Sequence, residues 1–208
     1  MSQIVIVNTR PEHIPALVLH QQTCFPTLDP GSWMRAEHFA AHLDRFPAGQ
    51  HVALDGERVV GQSSTFRVSG QRAMDQHGFL EITHDLTFAG HDLCGEWLYG
   101  ADMSVHPDYR GRRISKMLYD ARKDLVRNLQ IDGIVAGGQL ADYFTVRATV
   151  RLEDYIARVV AGDLVDATLT PQLRSGFGVR GILWRYLDDS EHGEEATLLV
   201  WQPDKVTG

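Results

Sequence analysis

The run Trp97–Val105 reads as a strand that cannot pass Pro107, and a helical stripe begins at Arg113. Proline has no N–H to give a ladder, so it ends the strand. Ile114, Met117, Leu118, Ala121, Leu125 and Leu129 then recur at helical spacing and form one apolar stripe. Between strand and helix lies a short loop holding Arg110 and Gly111. That order gathers unpaired amides and the positive end of a helix dipole at one point, which makes an anion site. Arg110, Arg112, Arg113 and Lys116 cluster there, although the 208-residue chain carries a net charge of −7. A solvated basic helix start would explain the charges alone. Loop, glycine, helix start and charge together point to a di- or polyphosphate.

The remaining pattern surrounds this segment with a mixed fold. Gln3–Asn8 is β-branched and reads as a strand; Pro11 opens a helix carrying Ile14, Leu17 and Val18. Ser32 is placed to cap a second helix with Trp33, Phe39, Leu43 and Phe46 on its apolar side. His51–Asp55 and Arg58–Val68 are joined by Asp55-Gly56, a hairpin signal. Residues 69–95 are polar and irregular, with a short strand expected around Phe79–Thr83. Ile134–Ala136 reads as a buried strand, Leu152–Ala161 as a helix stopped by Gly162, and 170–175 as a short helix. Two strands, Phe177–Leu187 and Ala196–Gln202, complete the series. Helices and strands mixed around one sheet give an α/β (α+β) class. One domain over 1–208 is expected, with an unusual segment at about 138–168.

Hydrophobic residues make up 43% of the chain, enough for a core without staples. Two cysteines, Cys24 and Cys94, form no CxxC pair, which excludes a disulfide scaffold and a zinc ribbon. Ten histidines occur without a ligand spacing, so no metal is expected. There is no GxSxG elbow for a nucleophilic triad. No apolar run approaches a membrane span, and no basic leader opens the chain, so a cytoplasmic location without a membrane partner is expected. The net acidity argues against nucleic-acid binding through 110–127.

Val105-His-Pro-Asp-Tyr-Arg-Gly-Arg-Arg-Ile-Ser resembles the acetyl-CoA motif of the GNAT superfamily of N-acetyltransferases, Val-x-Pro-x-x-Arg-Gly-x-Gly-Ile-Gly. The element order is similar to that fold: a mixed, mostly antiparallel central sheet flanked by helices. Ser175-Gly176-Phe177 is similar to the family's Gly-Phe junction. Leu98-Tyr-Gly-Ala-Asp-Met, Gly133-Ile-Val-Ala-Gly-Gly, Leu173-Arg-Ser-Gly-Phe and Ala196-Thr-Leu-Leu-Val-Trp look like the GNAT domain found fused to nitrilase-type carbon-nitrogen hydrolases. No hydrolase follows within the 208 residues, so the resemblance implies a stand-alone relative.

The resemblance implies acetyl-CoA as cosubstrate and a small-molecule or peptide amine as acceptor, attacked directly without a covalent enzyme intermediate. The backbone of Met103, Ser104 and Val105 would bond the pantetheine arm. The amides of Arg110, Gly111, Arg112, Arg113, Ile114, Ser115 and Lys116 would cradle the pyrophosphate. Arg113 and Ser115 stand where the pattern has small residues. Arg113 either folds away to pair with a phosphate or blocks the ligand, which would leave a catalytically degenerate CoA-binding or regulatory module. For the base, Glu96 just before the central strand and Asp102 near its end are candidates, ahead of Tyr99 and His106. The family's usual acid, a tyrosine, is Gln172 here; Tyr143, Tyr155 or water would have to replace it. Cys24 and Cys94 are expected outside the site. Asp188, Asp189, Glu191, Glu194 and Glu195 crowd the last hairpin, either as a solvated turn or as a lure for a cationic acceptor. A homodimer through the terminal strands is possible.

Overall fold

A computed structural model describes residues 3–28, 30–187 and 193–204. Seven strands form one sheet in the order β1-β2-β3-β4-β5-β7-β6. They are β1 (Val5–Asn8), β2 (Gln50–Asp55), β3 (Arg58–Val68), β4 (Trp97–Val105), β5 (Gly133–Gln139), β6 (Gly178–Leu183) and β7 (Ala196–Trp201). Every neighbouring pair is antiparallel except β4 with β5. The helices are α1 (Ile14–Cys24), α2 (Ala36–Arg45), α3 (Gly70–Met74), α4 (Phe79–Thr83), α5 (Ile114–Leu129), α6 (Leu152–Ala161) and α7 (Leu169–Arg174).

The period of two along the strands divides the core. On β4, Trp97 and Tyr99 pack with Leu17 of α1, Phe39 of α2, Ala73 of α3 and Ile82 of α4. Leu98, between them, faces the opposite layer with Tyr119 of α5, Ile156 of α6 and Leu169 of α7. The N-terminal turns of α5 press Ile114 and Leu118 onto Ala53 and Val60. The apolar stripe of α5 is thus the face that meets the sheet.

Some elements depart from the sequence reading. Phe79–Thr83 is a helical turn, not a strand: the Gly78 amide donates to Glu81 Oε2, and Thr83 Oγ1 donates back to the Phe79 carbonyl. Ser32 caps nothing, because it lies in a 3₁₀ turn and α2 starts after Arg35. The strand read as Phe177–Leu187 ends at Leu183, and Tyr186 and Leu187 donate their amides to the Glu194 carbonyl. Asp188, Asp189 and Glu191 of the acidic hairpin lie outside the described residues.

Apolar side chains pack the segment 138–168, and one buried carboxylate joins its parts. Asp166 is fully buried and accepts from the Tyr155 hydroxyl at 2.9 Å and from the amides of Leu169, Thr168 and Asp142 at 2.7, 2.9 and 3.0 Å. It ties α6 to the start of α7, which carries Gln172 beside the central strands.

Candidate active site

Two features open the sheet at its centre. The parallel ladder between β4 and β5 runs from Trp97↔Gly133 to Gly100↔Ala136 and goes no further. On the other side of β4, Gly100 pairs with Thr65 and Asp102 with Ser64, leaving Ala101 as an extra residue. A bulge of this kind bends its strand and frees backbone groups from the ladder. Beyond Gly100, β4 leans away from β5, and a cavity of about 760 Å³ fills the gap.

The loop after β4 forms one wall. Gly111 has φ 78° and Arg113 φ 62°, so both occupy left-handed backbone, and α5 starts directly after. Arg113 therefore adopts the conformation that a glycine would take at no cost. Its side chain is exposed, so it does not plug the loop from within. Arg110, Gly111, Arg113, Ile114 and Ser115 line the cavity, as do Met103, Ser104 and Val105. Arg112 and Lys116 turn elsewhere: Arg112 stacks 4.5 Å over the Tyr109 ring, and Lys116 Nζ pairs with Asp120 at 2.6 Å. The amides of the first turn of α5 have no partner four residues back. Amides, dipole and two free-reaching arginines meet the needs of a pyrophosphate, and the gap between the strands meets those of a narrow arm.

Asp102 stands at the inner edge. Its Oδ2 accepts from Gln21 Nε2 at 2.5 Å and from Gln62 Nε2. Ser64 Oγ donates to Gln62 Oε1 at 3.2 Å and so fixes the direction of that amide. Burial raises the Asp102 pKa to about 6 against the opposing pull of Gln21 and of the Arg122 charge. Arg122 is itself buried, donating to Ser63 Oγ at 2.6 Å and to the backbone carbonyl of Asp102.

The other candidate bases, and Tyr143 as the candidate acid, are placed differently. Tyr99 is fully buried beneath the cavity, with its hydroxyl between His77 and Tyr186. Glu96 is exposed at the start of β4, where it accepts the Gly70 amide at 3.1 Å. Tyr143 donates to the Val150 carbonyl at 3.1 Å and packs on Tyr155, away from the cavity lining. His106 accepts the Asp108 amide and faces Arg58. Of these five, Asp102 alone lines the cavity.

Cys24 corrects an expectation: it lines the cavity. Its Sγ lies 3.4 Å from His20 Nε2, which in turn is 3.1 Å from Ser104 Oγ. Burial and the Asp102 charge push the thiol up to about 11, and burial holds His20 near 4. Both are neutral at physiological pH, so the pair is no thiolate nucleophile. Sequence reasoning also missed Gln21, Gln62 and Tyr186. They reach the site from α1, β3 and the chain after β6, and no local spacing links them to Asp102.

The acetyltransferase (GNAT) family model matches residues 14–143. The chain belongs to that family. The probable hydrolase YhcX of Bacillus subtilis is 34% identical over 96% of this chain, which spans 38% of that protein's length. The uncharacterised N-acetyltransferase YkwB of the same organism is 26% identical over 96% of this chain and 88% of its own. Among solved structures, the loading GNATL domain of CurA from Lyngbya majuscula superposes with a TM-score of 0.81 at 15% identity, covering 97% of this chain and 98% of that one. The GNAT-like decarboxylase GphF, solved with isobutyryl-CoA, gives 0.76 at 22% identity, covering 95% and 98%. The GNAT member described here shares their mixed, mostly antiparallel sheet. None of its helices among the described residues is long and apolar enough to cross a membrane.

Proposed function

We propose that this chain moves an acetyl group from acetyl-CoA to an amine by direct attack on the thioester. The parting of β4 from β5 beside the 110–115 loop carries this reading. The backbone of Met103, Ser104 and Val105 would hold the pantetheine arm, and the amides from Arg110 to Lys116 the pyrophosphate. When bound, acetyl-CoA supplies the activated acyl group. Amides of β4 that face the gap beyond Gly100 lack a ladder partner on the β5 side and suit a developing oxyanion.

Asp102 is the base in this reading. A carboxylate with a pKa of about 6 is ionised at neutral pH yet basic enough to take a proton from an attacking amine. The connection from α1 to α2, the chain near Phe79 and the chain after β6 lend Phe25, Pro26, Leu28, Phe79 and Leu187 to the cavity wall. That wall favours an amine with an apolar body.

Calorimetric titration with acetyl-CoA, against desulfo-CoA and ATP, tests the first half. Saturable binding with ATP far weaker is expected; no binding by the folded protein would leave a GNAT-shaped domain with another task. Thiol release with phenethylamine, tyramine, lysine and spermidine tests the second half. Acetyl-CoA bound without any release would favour the regulatory module instead.

A second reading concerns the acyl group. The two better superpositions, at 0.81 and 0.76, are the CurA loading domain and the decarboxylase GphF, while the ribosomal-protein-S18-alanine N-acetyltransferase from Escherichia coli gives 0.59. Isobutyryl-CoA and malonyl-CoA therefore belong in the same assay, with carbon dioxide release measured. Carbon dioxide from malonyl-CoA would move the reading from amine acetylation to decarboxylating acyl chemistry.

A further inference from the structure

A line of hydrogen bonds leaves the cavity and ends elsewhere. Tyr186 lines the cavity, and its hydroxyl lies 3.0 Å from the hydroxyl of Tyr99. Tyr99 lies 2.7 Å from His77 Nε2, and His77 Nδ1 lies 2.8 Å from the Asp75 carbonyl. His77 borders a separate surface depression of about 270 Å³, shared with Arg72, Asp75, Gln76 and Glu81. All three side chains are buried.

The direction of the line follows from its ends. A carbonyl only accepts, so His77 Nδ1 carries the proton and the neutral ring offers a bare Nε2. Tyr99 then donates to His77, which leaves Tyr186 to donate to Tyr99. The backbone is shaped around this arrangement: a Cβ on Gly137 would come within 2.5 Å of the Tyr186 hydroxyl oxygen.

Acetylation of an ammonium gives such a path a use. The nitrogen loses two protons as it becomes an amide, and the departing sulfur takes back one. One proton per turnover must leave the site.

We propose that Tyr186, Tyr99 and His77 form a proton exit that carries this surplus proton from the acceptor ammonium to the depression beside His77. The inference rests on the amine-transfer reading. As the ammonium N–H proton passes to the Tyr186 oxygen, the Tyr186 proton passes to Tyr99 and the Tyr99 proton to His77 Nε2. His77 then releases its Nδ1 proton to water in the depression; the ring, left as the Nε2–H tautomer, returns to Nδ1–H by proton exchange with that water at no net change, and the two hydroxyls rotate back. Burial holds both tyrosines protonated, so the hops are concerted and no phenolate persists. Asp75 and Glu81 face His77 and favour its charged form; Arg72 opposes it, and burial keeps the resting ring neutral. Tyr186 is the group that meets the substrate; Tyr99 and His77 act through it.

Nitrogen-15 spectroscopy of the protein alone tests the orientation. The Nδ1–H tautomer of His77 is expected, and the Nε2–H tautomer would overturn the exit. Thiol release from acetyl-CoA, with whichever panel amine turns over fastest, tests the role. Tyr99→Phe and His77→Ala should each lower release at least about tenfold while binding acetyl-CoA within about twofold of wild type. Imidazole added to His77→Ala should restore release, because the depression can admit it, and should not affect Tyr99→Phe. Unaltered release in both folded variants, or a His77→Ala loss that imidazole leaves untouched, would overturn the exit alone. No acetyl-CoA binding to the wild-type protein would instead remove the transfer reading, and the exit with it.

Discussion

The Arg122 guanidinium stands where a side chain on Gly100 would have to go: a Cβ there would come within 2.6 Å of Nη1. Gly100 is also the last residue of β4 paired to β5, so the space that admits Arg122 lies at the point where the strands part. Arg122 holds the Ser63 hydroxyl and the Asp102 carbonyl from that position.

Gly100→Ala should therefore push the guanidinium off its partners and cost about 1–3 kcal/mol, as overpacking of a filled site does. Urea unfolding measures it. A variant as stable as the wild type would mean that Arg122 has room to move.

Arg113 is an opposite case, a side chain on backbone that suits glycine. Arg113→Gly removes the left-handed penalty and adds freedom to the unfolded chain, a net gain of about 0.5–1 kcal/mol. A rise in the thermal midpoint is expected. An unchanged or lowered midpoint would show that the arginine side chain contributes more than its backbone costs.

Asp102 gives a pH dependence with a defined sign. Its pKa is raised from 3.8 to about 6, so the folded state prefers the protonated form. Below pH 4 both states are protonated and nothing is lost. Between pH 4 and 6 the unfolded chain ionises first, stability falls, and the penalty is constant above 6. Asp102→Asn should thus be more stable than wild type at pH 8, with the advantage gone by pH 4. In the transfer assay kcat/KM should climb through about pH 6 in the wild type, while the variant loses about 10²-fold or more. An activity profile flat across pH 5–7 would take the base role from Asp102.

Arg110 lines the cavity with its side chain exposed. Removing one charge-assisted contact costs about 1.5–3 kcal/mol, so Arg110→Ala should bind acetyl-CoA at least about tenfold more weakly with the same thermal midpoint. Equal affinity by calorimetry would place the phosphates elsewhere.

Legibility in the sequence followed the range of the interactions. The β4–loop–α5 unit was readable because Pro107, the apolar period and the basic cluster all lie within one short stretch. Phe79–Thr83 misled because Phe-Leu-Glu-Ile-Thr has strand-like side chains, while its helical turn is set by local hydrogen bonds from Thr83 and to Glu81. The neighbours of Asp102 were out of reach for another reason. Gln21 and Gln62 are 81 and 40 residues away in sequence, and Tyr186 is 87 from Tyr99. Only closing the sheet brings them together. The left-handed backbone of Arg113 went unread, although the family pattern has glycine there, while its outward side chain was one of the two alternatives left open.

Among the described residues, the short parallel ladder from Trp97 to Gly100 is the sole strand pairing between β1–β4 and β5–β7. Four rungs hold the two halves in register there, but the apolar layers on both faces and the Tyr99–Tyr186 contact bridge them as well, so the width of the cavity is set by packing on both sides of the joint. Enlarging Leu98 or Ile134, paired rungs that do not line the cavity, would then change its width without adding a group to its wall.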